Sequence, residues 1–123
     1  MVFLVYKQVI IYNKDSKLNY NQVLKHIVNG SVLSVEQTKQ NNSNLLKSWL
    51  NHGQKKVTLQ ALSYSDIQEI ILKCQKKGIL FIALSSEGVL INKQTLDQKI
   101  CILVIGPNLE KKIDPITNHL KLY

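Results

Sequence analysis

The sequence predicts an α/β fold, a three-layer sandwich in which a four-stranded mixed sheet lies between helices. Three observations carry this. The patterns run in the order strand, two helices, strand, helix, strand, strand, short helix. Residues 4–12 are apolar almost throughout and rich in β-branched and aromatic types, as a strand covered on both faces must be. Helical stripes also separate the strands, and a crossover helix between parallel neighbours implies a right-handed connection. At 123 residues and 45% hydrophobic, the chain is expected to form one unit over 1–123 around one core. No Gly/Ser-rich, Pro-rich or like-charge block divides it, and no repeat recurs at a solenoid period.

The first strand should end at Asn13-Lys14-Asp15. Over 21–40, Val23, Leu24, Ile27, Val28, Val32 and Val35 recur at three- and four-residue spacing, which predicts a helix with that face inward. Lys25, Asn29, Glu36 and Lys39 would then face water. Asn41-Asn42-Ser43 breaks the pattern. Leu45, Leu46, Trp49 and Leu50 give a shorter helix stopping near Gly53. Residues 56–62 alternate, with Val57, Leu59 and Ala61 on one side of a half-buried strand. Ser65 and Gln68 have capping-box spacing at the start of a stripe of Ile67, Ile70, Ile71 and Cys74 that ends at Gly78. A third strand is expected at 79–84, a turn at Ser85-Ser86-Glu87-Gly88, and a fourth strand at 99–105, closed by Gly106-Pro107. The tail offers a short helix near 109–113.

The opening run is broken by Lys7 and lacks the basic segment and small-residue cleavage site of a signal peptide. No apolar run approaches the roughly 20 residues that span a bilayer, so no membrane insertion is expected. The cytoplasm is the expected location, or the mitochondrion without a recognisable presequence. Cys74 and Cys101 lie inside apolar patterns without metal spacing and read as reduced core thiols. No metal or cofactor is expected.

Sixteen lysines against eight acidic residues give a net charge of +8, which favours a polyanion. The chain has no arginine. Lysine neutralises phosphate as a point charge but lacks the planar fork used to read bases, so the expected contact is nonspecific, with the backbone of a polyanion such as RNA or with an anionic membrane surface. Trp49, Leu46 and Leu50 read as core, and Tyr12, Tyr20 and Tyr64 are too dispersed for an interleaved aromatic and basic motif.

Several stretches resemble type II peptidyl-tRNA hydrolase. Trp49 followed by Gly53-Gln54-Lys55-Lys56-Val57 is similar to the family's W-x-x-x-G-Q-x-K-V. Ile105-Gly106-Pro107 is similar to its I-G-P, and 113–122 to its I-D-x-V-T-G-H-L-K-L ending. Asp15-Ser16-Lys17-Leu18 stands where the family has D-L-K-M. The resemblance spans nearly the whole chain and implies a mixed sheet between helical layers, an ester-cleaving activity on peptidyl-tRNA and, in many members, a homodimer.

The reactive positions depart from that pattern. The family's G-K-x-A-A-Q-x-x-H falls on 21–29, so that its Gly, Lys, Gln and His are Asn21, Gln22, His26 and Asn29 here. Its D-A-G-R-T-Q loop falls on Ser86, Glu87, Gly88, Val89, Leu90 and Ile91, where only the glycine is kept. The segment from that loop to Ile105 reads as about three residues longer than in the family. Ester hydrolysis needs a base for water and a donor or cation for the oxyanion. Gln22 carries no charge, and Val89, Leu90 and Ile91 cannot titrate.

The groups left to do chemistry are Asp15, Lys17 and His26, with His26 as base and Lys17 as cation. Each also has a plainer reading: Asp15 ends a strand or caps a turn, Lys17 is a solvated loop cation, His26 is a half-exposed helix residue. Glu87 reads as a turn carboxylate. The resemblance implies a tRNA or rRNA backbone as partner, and Lys14, Lys17, Lys25, Lys55 and Lys56 are the candidate phosphate-binding patch, which His119 and Lys121 could join. The leading expectation is a catalytically impaired relative that serves as an RNA-binding or structural subunit of a larger, ribosome-like assembly. Its rivals are an active divergent hydrolase and a purely protein-binding subunit.

Overall fold

In the computed structural model, which describes residues 4–92 and 99–123, the first apolar run forms strand β1 (Tyr6–Asn13). A 3-10 turn (Lys14–Ser16) leads to helices α1 (Tyr20–Asn41) and α2 (Ser43–Asn51). Strand β2 (Lys56–Ala61), helix α3 (Tyr64–Lys77) and strand β3 (Phe81–Ser85) follow. The chain closes with strand β4 (Ile100–Leu109), helix α4 (Glu110–Thr117) and strand β5 (Lys121–Leu122). The strands form one mixed sheet in the order β3-β4-β1-β2-β5. β1 and β2 are parallel, joined by the α1–α2 crossover; the other pairings are antiparallel.

The sheet therefore has five strands, not the four expected. β5 is two residues long and both are exposed, so it leaves no alternation to read. It exists because α4 delivers the tail to the free edge of β2, where Leu122 pairs with Leu59 and Lys121 with Gln60. Lys7 of β1 holds α4 in place through an ion pair with Asp114 at 2.5 Å.

Period-two alternation divides the sheet residues between two cores. Val9, Ile11, Leu103 and Ile105 meet Ile67, Ile70, Ile71 and Cys74 of α3 and Ile113 and Ile116 of α4. Ile10, Tyr12, Ile82, Leu84, Ile102 and Val104 face α1 on the other side. The three-layer arrangement follows.

The buried face of α1 is not the one its apolar residues predict. Val23, His26, Gly30, Ser34 and Thr38 are buried, whereas Leu24, Val28 and Val32 are 47, 56 and 59% exposed. Close approach explains the difference. A Cβ at Gly30 would lie 2.9 Å from Val104 Cγ2, so the helix backbone rests directly on β4. Polar partners make the packing specific: the hydroxyls of Ser34 and Thr38 both donate to the carbonyl oxygen of Gly106. Buried Gln8 donates to Ser31 O at 3.0 Å and accepts from Ser31 Oγ at 2.6 Å. Satisfied in this way, Gln8, Ser34 and Thr38 can be buried without the usual penalty.

The start of α3 also differs from expectation. Ser63, not Ser65, is the cap, and its hydroxyl accepts from the Asp66 N–H. The helix stops at Gly78, which adopts the left-handed conformation at φ +67.

Candidate active site

The carboxyl end of β1 is fixed by one buried amide. Asn13 Nδ2 donates to Ile100 O at 3.0 Å, tying β1 to the start of β4, and its Oδ1 accepts from the Asp15 N–H at 3.1 Å. Asp15 is thereby held at a set place above the strand. On the other side of β4, the 85–88 turn is closed by the Gly88 N–H donating to Ser85 O at 2.9 Å, with Gly88 at φ +79. Between turn and strand end lies a cavity of about 320 Å³ lined by Asn13, Asp15, Ser16, Ser86, Glu87 and Lys99. Two carboxylates, one ammonium and two hydroxyls share it. Below it, the buried Cys101 thiol is raised above its ordinary range by desolvation, an effect that its bond with the Ser16 side chain partly offsets.

Of the three residues that the sequence offers for chemistry, only Asp15 lines this cavity. Lys17 closes the 3-10 turn in the left-handed conformation at φ 55 and is exposed beside it. His26 is buried rather than half-exposed, and its Nε2 donates to Ser86 O at 2.9 Å. It supports the turn from beneath, and its Nδ1 has no partner among the described residues. Gln22, at the position of the family's lysine, completes a capping box at the start of α1: its backbone N–H reaches Asn19 Oδ1 at 2.9 Å, while its side-chain oxygen accepts from the Asn19 N–H. Val89–Ile91 return along β3, the Ile91 N–H donating to Ala83 O at 2.8 Å. The longer segment read between the loop and Ile105 includes 93–98, which lie outside the described residues.

Glu87 and Lys99 are the site residues that the sequence leaves unused. Glu87 has a signal, its place in the loop that matches D-A-G-R-T-Q. Lys99 has none, because only the antiparallel pairing of β3 with β4 brings the residue before β4 opposite that loop.

The lysine patch divides. Lys14 lines a second cavity, of about 340 Å³, with Gln60, Leu62, Asp66, His119, Leu120 and Lys121. Lys17 is next to the same turn, and Lys25 is exposed near the start of α1. Lys55 and Lys56 lie at the far end of the sheet. Lys56 pairs in register with Gln8, six residues before Lys14, or about 20 Å along the strand. Lys55 is held by Glu110 at 2.8 Å, and the Lys56 ammonium sits 5.0 Å from the Trp49 ring centre.

A family model described as Peptidyl-tRNA hydrolase PTH2 matches residues 6–123. The chain belongs to the PTH2 family. It is similar to the peptidyl-tRNA hydrolase of Thermococcus sibiricus, 31% identical over 95% of this chain and 97% of that one. It is 30% identical to that of Nanoarchaeum equitans over 95% of this chain and 98% of that one. Similarity extends to Bos taurus peptidyl-tRNA hydrolase 2, mitochondrial, 28% identical over 96% of this chain and 64% of that one. In this PTH2 chain, no described helix is long and apolar enough to cross a membrane.

Proposed function

We propose that this chain hydrolyses the ester joining peptide to tRNA, in the cleft between the end of β1 and the 85–88 turn. The observation that carries the reading is the gathering of Asp15, Glu87 and Lys99 around one cavity. Water attacks the ester carbonyl as Asp15 takes its proton. The Lys99 ammonium offsets the charge growing on the carbonyl oxygen. The bond to the ribose oxygen then breaks, and the proton held by Asp15 passes to that oxygen, releasing peptide acid and tRNA. Glu87, on the facing turn, anchors the water. The changes at Gln22 and 89–91 point by themselves to impairment; a second acid and a cation in the same cleft supply the required chemistry from other positions.

Binding of tRNA without turnover, as an RNA-binding or structural subunit, is the second reading. It is favoured by Gln22, which is committed to the helix cap. Cleavage of peptidyl-tRNA by the purified protein separates the two. Turnover that collapses in Asp15→Asn supports the hydrolase. Intact substrate bound but uncleaved by the wild type establishes the second reading instead.

A further inference from the structure

The tyrosines that are scattered in the sequence meet in the fold. Tyr20 opens α1, and Tyr123 lies beside β2, where its N–H donates to Thr58 O at 3.0 Å. Together with Leu24, Ile27 and Thr58 they line a mainly apolar cavity of about 400 Å³ on the α1 side of the sheet. The Tyr123 ring packs on Tyr12 at 5.1 Å between centres, and the Tyr12 hydroxyl accepts from the Leu18 N–H. Residues 15–18 thus run from Asp15 and Ser16, which line the cleft, to Leu18, which bonds the tyrosine packed on Tyr123. Burial raises the Tyr123 phenol above its ordinary range, and the nearby Tyr12, Tyr20 and Cys101 groups add to it, consistent with their crowding here. Tyr20 is nevertheless 69% exposed and Leu24 47%, an apolar surface that the chain leaves uncovered.

We propose that the Tyr20–Tyr123 cavity receives the base of the terminal nucleotide of tRNA while the adjoining ester lies in the cleft. The inference rests on the tRNA substrate proposed above. Three features select this occupant. Pockets of this size take a small ligand rather than a protein element. Two tyrosine rings at the rim offer faces on which a base stacks, without demanding the arginine fork that this chain lacks. Charge is complementary nearby: Lys25 follows Leu24 directly, and Lys14 and Lys17 stand on the 3-10 turn that leads into α1, where they meet backbone phosphate. An apolar peptide side chain would fit the lining but not the lysines. A hydrolase acting on many peptides also gains nothing from gripping one kind of side chain, whereas the nucleic-acid end is common to all its substrates.

The test uses deacylated tRNA, intact and with its terminal nucleotide removed, so that binding is read independently of cleavage. Wild-type protein should bind the intact form roughly tenfold more tightly. Tyr20→Ala and Tyr123→Ala should each remove most of that difference while leaving affinity for the trimmed form unchanged. Tyr20→Trp should keep it, which separates stacking from loss of fold. Equal affinity of the wild type for the two forms would overturn the proposal. So would variants that weaken both forms alike, or a loss in cleavage that follows the size of the peptide's side chain. Failure of cleavage with the tyrosine-dependent discrimination intact removes the hydrolase reading and leaves this one standing.

Discussion

His26 Nε2 stands 2.9 Å from the carbonyl oxygen of Ser86, joining the second turn of α1 to a loop sixty residues further on. A Cβ at Gly88 would come within 2.8 Å of His26 Nδ1, so the loop lies directly on the ring. The imidazole acts here as a strut under the wall that carries Glu87. His26→Ala should cost about 1–3 kcal/mol in urea unfolding, the range for a broken buried hydrogen bond. It should also lower kcat for peptidyl-tRNA with little change in KM. His26→Gln, an amide able to donate to the same carbonyl, should recover most of both. An alanine variant of wild-type stability would show that the hydrogen bond supports nothing.

If Asp15 takes the proton from water, Asp15→Asn should slow single-turnover cleavage roughly 100- to 10,000-fold. Lys99→Met, which removes the cation facing the oxyanion, should cost on the order of 100- to 1,000-fold. Glu87→Gln should be milder, since the amide still holds a water. Cleavage rates of these variants within a factor of two of wild type would remove the cleft from the mechanism.

The divided lysine patch makes a prediction about salt. Replacing Lys14, Lys17 and Lys25 with Gln should lower the slope of log affinity for tRNA against log salt by about one for each phosphate no longer neutralised. Lys55→Gln with Lys56→Gln, at the far end of the sheet, should leave the slope unchanged. Measuring affinity at several salt concentrations distinguishes the two ends of the molecule.

Gly30 marks the closest approach of α1 to the sheet. Gly30→Ala places a methyl 2.9 Å from Val104 Cγ2, on a β-branched side chain with little freedom to move. A helix normally gains from this substitution, but overpacking should reverse the sign and destabilise by about 1–3 kcal/mol. A rise in the thermal midpoint would contradict the packing described here.

Burial holds the Cys101 thiol protonated above its ordinary range. The native state therefore keeps its proton to higher pH than the unfolded chain does. The stability this gives is complete below the unfolded thiol's pKa and is lost as pH rises through the folded value. Between about pH 8 and pH 10, wild type should lose more unfolding free energy than Cys101→Ala does. Parallel curves for the two proteins would show that the thiol does not contribute.

The layered α/β class, the central position of β1 and the helix ends at Gly53 and Gly78 were legible in the sequence, because each is written in local pattern. Apolar runs bury themselves, alternation makes a half-covered strand, and glycine accepts the left-handed turn. Family membership was legible for a similar reason, since contiguous stretches such as 105–107 and 113–122 carry it. Tertiary structure alone decided the rest. α1 turned Gly30, Ser34 and Thr38 inward and left Leu24, Val28 and Val32 in water, because backbone proximity and hydrogen bonds to Gly106 outweighed the periodicity of its side chains. β5 formed only when α4 brought two residues to an open edge. The cleft belongs to the same category: Asp15, Glu87 and Lys99 are distant in sequence and become neighbours through strand order, which no local pattern encodes.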